Sequence, residues 1–457
     1  MLILFWFVLI VYGLLIHPLL FNGDRFSVEV IVLISILFNC LYLLKEGHKW
    51  QIIQKHITNK IAETIPIILI LISIGALIGS WVICGTIPML TYYGLDLIQP
   101  NILYLAAFLI CSVFSILTGT SWGTLGTIGV VMISIATVFE LNLGICAGAI
   151  ISGSLFGDKL SPLSDTTNIT ALAAEVDLID HVKSMAFSVV PSAIITAIIF
   201  AMLSPSVGQN TDMTSVNDVR TDLSTMFQFS WILLLPVVVV VYGSLKRYPI
   251  FLVLTAGATL GIVLAFIFQD FKAVDVFGAV KSGFNTNMIP SDFEAKSNIS
   301  RILSSGGITS LVTPILVAVL FFGLLGTLNV VNAIEKTVEP ITKLLKGRSS
   351  TVIASIIGTT FFHGLVTSMY ATIFLSSETF KKKYKEFNIS NSVLSRSIED
   401  GGTLISPLIP WTPTSLFMTA TLGVSLTEFM PYHLLAYINY IIAIVFALTG
   451  IAVFKRK

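Results

Sequence analysis

The chain has 457 residues, of which 55% are hydrophobic and only 11% charged, and its mean hydropathy is +0.92. A water-soluble domain carries roughly 25% charged residues, so this composition cannot cover a water-facing surface and reads as an integral membrane protein. A formal net charge of +1 offers no basic face, which excludes nucleic acid as a partner.

A helix crosses the hydrocarbon layer with about 20 apolar residues. On that measure the predicted spans are 2–22, 26–44, 65–84, 101–117, 124–141, 143–171 (broken), 185–205, 229–245, 248–268, 312–331, 350–363, 365–380, 393–423 (broken) and 432–454. Residues 2–22 lack a basic n-region and a small-residue cleavage site, so they are expected to be a retained span and not a signal peptide. The short pairs 101–117/124–141 and 350–363/365–380 suit either full spans or re-entrant hairpins. Residues 45–64 predict an interfacial amphipathic helix, with Ile52, Ile53, Ile57 and Ile61 on one face and lysines on the other. The polar segments 206–228 and 270–311 read as connectors, the second with short helices at VDVFGAVKSGF and FEAKSNISRIL. Cys40, Cys84, Cys111 and Cys146 lie in apolar runs without ligand spacing and are expected to be packing residues.

Positive charge orients this layout. With the N-terminus in the cytoplasm, only Arg25, Arg220, Lys272, Lys281, Lys296 and Arg301 fall outside, and the other 20 of the 26 lysines and arginines fall inside. Both termini are therefore expected to be cytoplasmic.

The two halves also echo each other. Pro66, Gly75 and Gly79 recur as Pro314, Gly323 and Gly326, the Thr120-Ser121-Trp122 tripeptide as Thr367-Ser368-Met369, and Leu160-Ser161-Pro162-Leu163 as Ile405-Ser406-Pro407-Leu408. Seven predicted spans on each side of residue 206 would enter the membrane in opposite senses. The expected fold is an all-α polytopic membrane protein of about 12–14 membrane segments, built as two inverted repeats with broken helices and hairpin segments. The first repeat covers 1–205, with a peripheral hairpin at 1–44 and a core at 65–205. An external linker spans 206–228. The second repeat covers 229–457, with a peripheral hairpin at 229–268, an external segment at 270–311 and a core at 312–455.

The chemistry concentrates where apolar segments flank charge. Ionisable groups at membrane depth cost upward of about 2.5 kcal/mol each and mark functional sites, and irregular backbone survives there only when protein buries it or it lines a watery cavity. A small hard cation such as sodium takes oxygen ligands. The first broken segment offers Asp158, Ser161, Asp165, Thr166, Thr167 and Asn168, with Thr120 and Ser121 at the preceding hairpin tip. Asp158 and Asp165 are the expected sodium ligands. The second offers Glu399, Asp400, Ser406 and Thr412, with His363, Thr367 and Ser368 at its hairpin tip. A carboxyl group held away from water holds its proton more readily than one in water, so sodium and a proton would exclude each other at one site.

Each residue also has a packing reading. Asp158 could pair with Lys159 or Lys183, and Asp165 could cap a half-helix starting at Thr166. Glu399 and Asp400 would suit the start of their helix. His363 serves as a proton relay or a packing histidine. Trp122 and Trp411 read as packing or gating groups, and Glu63, Glu140 and Glu378 as interfacial.

The strings TGTSWGT at 118–124, GSLFGDKLSPLSDTTN at 153–168 and EDGGTLISPLIPW at 399–411 resemble signatures of the NhaC-type sodium–proton antiporters of the ion transporter superfamily. The resemblance runs from about residue 60 to 455. It implies an inverted-repeat fold, sodium–proton exchange and a bacterial cytoplasmic membrane, in a family that includes exchangers of malate and lactate. After LIPW the family pattern continues with Asn and small residues, whereas this chain has Thr412-Pro413-Thr414. The lost amide bears on the transported solute more than on the fold.

Sodium(out)/proton(in) antiport is thus the leading expectation. Sodium- or proton-coupled exchange of a small organic solute, a carboxylate or amino acid held at half-helix N-termini, is the alternative. Sodium and protons are cargo, and no cofactor is expected. The partners are lipid and a small cation or small organic solute, with room for a homodimer. An enzyme is disfavoured by the absence of HExxH and GxSxG, and a channel by the broken repeats.

Overall fold

The computed structural model describes residues 27–204, 213–285, 306–331 and 345–455, together with Met288 and Leu303. The predicted span 2–22 and most of FEAKSNISRIL lie outside the described residues. Among the described residues the protein is all helix apart from one isolated bridge between Ile389 and Lys455.

In chain order the helices are α1 (Val28–Lys45), α2 (Trp50–Ala62), α3 (Ile65–Ile83), α4 (Thr86–Leu97), α5 (Leu103–Thr118), α6 (Ser121–Val138), α7 (Leu143–Leu160), α8 (Asp165–Ala173) and α9 (Leu178–Leu203). They continue with α10 (Met213–Met226), α11 (Leu235–Leu245), α12 (Ile250–Phe268), α13 (Ala273–Ser282), α14 (Val312–Asn329), α15 (Arg348–Val366), α16 (Met369–Glu386), α17 (Asn391–Gly401), α18 (Pro413–Leu422) and α19 (Leu434–Thr449). Among the described residues 8 helices are long and apolar enough to cross a membrane, or up to 10 if each of two bent pairs forms one span. The protein is polytopic. That number is lower than the predicted 12–14 partly because the predicted span 2–22 lies outside the described residues and because the half-helices α17 and α18 of the predicted span 393–423 are too short to qualify alone.

Both segments predicted to be broken are broken. The first gives α7 and α8 around Ser161–Ser164, and the second gives α17 and α18 around Gly402–Thr412. Each broken helix is gripped by the hairpin before it. Helix association in lipid relies on close packing at small residues, because lipid tails are as apolar as leucine. A Cβ added at Gly157 of α7 would lie 2.3 Å from Ser112 O of α5, and one at Gly401 of α17 would lie 2.1 Å from Ile356 O of α15. Only glycine fits either contact. The hairpin α5–α6 therefore packs on α7, and α15–α16 on α17. The halves also interlock, with α8 resting on α16 and α17, and α18 on α6.

One predicted connector carries more structure than expected, and one predicted interfacial helix packs differently. α10 lies inside 206–228, and its Arg220 pairs with Asp96 at 2.7 Å and sits over the Tyr92 ring at 4.7 Å. The chain then bends by 101° into Trp231–Leu245. α2 does not turn its isoleucines to lipid. Ile53 and Ile57 pack among Val317, Phe321 and Leu324 of α14, and Ile52 remains 46% exposed. All four cysteines are buried and unbonded.

Candidate functional site

At the first break α7 stops because Ser161 turns extended (φ −78, ψ 124) and Pro162 brings no N–H. Ser161 Oγ donates to Ile116 O at 2.8 Å, tying the break to the hairpin. The cap of α8 is Ser164, whose hydroxyl accepts from Thr167 N at 3.4 Å. Asp165 is not the cap, contrary to expectation, but the first residue inside the helix. Nor is it buried: it is exposed, with one oxygen accepting from Thr166 N at 2.9 Å and the other from the Tyr370 hydroxyl. Asn168 Nδ2 donates to Pro162 O at 2.9 Å and Ser164 O at 2.6 Å. Both partners can only accept, so Asn168 presents its nitrogen to the break and acts as a staple. Thr167 Oγ1 donates to Lys159 O at 3.3 Å, and Thr166 Oγ lies 3.1 Å from Ser164 Oγ. Arg247 Nη2 closes on Pro162 O at 3.1 Å.

Asp158 differs from Asp165 in its surroundings. Its Oδ2 accepts from Ser121 Oγ at 2.8 Å, while Oδ1 is buried and has no hydrogen-bond partner among the described residues. The Ser164 hydroxyl also lies close to this carboxylate, and Asp165 and Glu399 are near enough for their charges to be felt there. The alternative pairing of Asp158 with Lys159 or Lys183 does not occur: Lys159 pairs with Asp400, and Lys183 is exposed. Thr120 caps α6, accepting from Gly123 N at 3.2 Å.

At the second break Glu399 and Asp400 occupy the last turn of α17, the opposite end from that expected. A helix C-terminus is the negative end of the macrodipole, and both side chains are buried at 1% exposure. Such acids persist only with strong partners. Asp400 pairs with Lys159 and accepts from Asn439 Nδ2 at 2.8 Å, with Ser188 Oγ at 3.2 and 3.3 Å from its two oxygens. Glu399 accepts from Thr170 Oγ1 at 2.8 Å and Thr403 Oγ1 at 2.5 Å. These two acids are engaged by protein donors, and they join α17 to α7, α8, α9 and α19. Thr412 caps α18, accepting from Ser415 N at 3.2 Å and donating to Ser406 O at 2.7 Å.

His363 is buried between Thr372 and Ser406. Thr372 spends its proton on Ser368 O, so it accepts from Nδ1–H, and Nε2 accepts from Ser406 Oγ at 2.8 Å. Thr367 (φ +61) ends α15 and donates to Val366 O, and Ser368 caps α16. Those two are turn-makers. Trp122 stacks on Phe417 at 4.2 Å and Trp411 on Phe321 at 5.2 Å, which is the packing role expected.

The structure thus gathers Asp158 with Ser121, Asp165 with Tyr370, and His363 with Ser406. It adds Thr170, Ser188, Asn439 and Tyr370, which the sequence reading passed over, and gives Lys159, read there only as a possible partner of Asp158, a different partner in Asp400. For Lys159 a signal was present, a lysine inside the glycine-rich apolar run of α7. Among the described residues no three acidic, histidine or cysteine side chains converge on one point. A cation here would be held by one carboxylate with hydroxyl and carbonyl oxygens.

Comparison with known proteins follows the same lines. The model of the Na+/H+ antiporter family matches residues 153–451. An uncharacterized Na(+)/H(+) antiporter of Haemophilus influenzae is 35% identical, covering 94% of this chain and 92% of that protein. The malate-2H(+)/Na(+)-lactate antiporter of Bacillus subtilis is 32% identical over 94% and 91% of the two chains. The Na(+)/H(+) antiporter NhaC of Alkalihalophilus pseudofirmus is 32% identical over 89% and 87%.

Proposed function

The chain belongs to the Na+/H+ antiporter family, and from that premise we propose that it exchanges sodium for protons through the carboxylates of its two broken helices, with Asp158 the sodium ligand. It is a secondary transporter and not an enzyme. The observation that carries the assignment is Asp158 Oδ1, buried beside Ser121 without a protein partner. A buried acceptor left unpaired costs about 1–3 kcal/mol, and more when charged. A sodium ion answers that cost, and so does a proton, but not both together.

The matching contacts of Gly157 and Gly401 support reading the halves as inverted repeats that rock about this site. The charge bias supports cytoplasmic termini in a bacterial cytoplasmic membrane, with sodium leaving as protons enter. In proteoliposomes carrying an imposed pH gradient, added sodium should dissipate the gradient. No sodium-dependent proton movement between about pH 6.5 and 9, on either side of the usual working range, overturns the proposal.

A second reading is favoured by the relative named a malate-2H(+)/Na(+)-lactate antiporter. Here an organic anion would sit at the α18 N-terminus behind Thr412. A thermal-shift screen of organic acids and amino acids, with and without sodium, separates the two, because only this reading expects a sodium-linked organic hit.

A further inference from the structure

α9 carries a polar row through an otherwise apolar span. His181, Ser184 and Ser188 recur at helical spacing on one face, and all three are buried. The row begins one turn from the exposed acids Asp177 and Asp180 and ends at Asp400, which Ser188 Oγ meets at 3.2 Å. By helical rise it covers about 10 Å.

Two of its atoms are buried with no hydrogen-bond partner among the described residues, His181 Nε2 and Ser184 Oγ. The state of the imidazole follows from its other nitrogen. Ser395 Oγ has one proton and two neighbours, Ser392 O at 3.1 Å and His181 Nδ1 at 2.7 Å; spent on the carbonyl, which can only accept, that proton leaves the hydroxyl to accept from Nδ1–H. His181 Nε2 therefore faces the interior with a bare lone pair. The charged groups around the row are Lys159 of α7 and Arg396 and Asp400 of α17. Packing accounts for His181 Nδ1 and Ser188, which bond Ser395 and Asp400, but not for His181 Nε2 and Ser184 Oγ, since each buried polar atom without a partner destabilises the helix interface.

We propose that this row is the proton's route to Asp400, separate from the sodium ligand at Asp158. A proton entering past Asp177 and Asp180 binds His181 Nε2. Ser184 Oγ bonds neither His181 Nε2 nor Ser188 Oγ in this conformation, so the proton moves on as the two serine hydroxyls swing into line, each O–H taking up one proton and releasing another, and it ends as an O–H bond on Asp400. No other bond is made or broken. A proton on Asp400 removes the charge that holds the Lys159 ammonium away from its sequence neighbour Asp158, and the released ammonium would then oppose sodium there. Exclusion between the two cargoes would then act through the Lys159–Asp400 pair.

The inference rests on the exchange reading, and two transport modes keep them apart. In reconstituted His181→Leu, sodium-driven proton movement should fall by about 100-fold, the low side of what a positioned proton-transfer group contributes. Exchange of labelled sodium for unlabelled sodium, which moves no proton, should stay near wild type. His181→Gln, which keeps an acceptor, should restore part of the proton-coupled rate. If His181→Leu does not reach the membrane, Ser184→Val puts the same question one position on. Equal loss of both modes makes the row structural and overturns the proposal, as does full proton coupling in His181→Leu. Absence of sodium–proton exchange in the wild-type protein is a separate outcome, which removes the premise.

Discussion

Removing one partner of the Lys159–Asp400 pair should leave a buried charge without its counter-ion. Both side chains are 1% exposed. In such places loss of one partner costs about 3–5 kcal/mol, whereas replacing both with apolar residues is often neutral. In Lys159→Met the Asp400 carboxylate keeps Asn439 and Ser188 as donors, which places the loss near the bottom of that range, about 3 kcal/mol. Asp400→Leu leaves an ammonium facing leucine and should cost nearer 5 kcal/mol. With an unfolding entropy that scales with chain length, a chain of this size shifts by roughly 1–2 °C per kcal/mol, so these losses lower the unfolding midpoint by about 3–10 °C. The double variant should lose less than either single one. The assay is a thermal double-mutant cycle on purified protein in detergent. Singles that melt with the wild type, or a double that loses the sum of both, would refute the buried-pair reasoning.

Asp158→Asn should abolish sodium–proton exchange while the protein still reaches the membrane, read by proteoliposome flux beside membrane abundance. Ser121→Ala removes one hydrogen bond to that carboxylate, worth about 1.5–3 kcal/mol, and should raise the apparent KM for sodium by about 10-fold or more. Asp165→Asn, at an exposed acid paired with Tyr370, should keep more exchange than Asp158→Asn, and Tyr370→Phe should match it. The reverse order would move the sodium ligand across the break. Gly157→Ala and Gly401→Ala each force a Cβ against a backbone carbonyl and should reduce folded yield, read by size-exclusion profile. Alanine tolerated at both sites would mean that the hairpins grip less closely than described.

Composition alone determined the membrane class, because 11% charged residues cannot coat a soluble surface. The two breaks were also legible, since proline, glycine and hydroxyl runs stop a helix through local covalent geometry that needs no partner. The chemistry-bearing residues at those breaks could be enumerated for the same reason. Which of them meet was decided by tertiary structure. Glu399 and Asp400 were assigned to the wrong end of their helix because acids favour a helix start locally, and only packing against Lys159, Thr170 and Asn439 makes the opposite end tolerable. Asp165 had the residue type of a cap, yet Ser164 took that position one residue earlier and left Asp165 exposed to Tyr370. The pairing of Lys159 with Asp400 spans 241 positions. Sequence periodicity reports which face a residue occupies on its own helix. Which helix will lie opposite depends on how the glycine contacts stack the two halves, and that is a property of the folded chain.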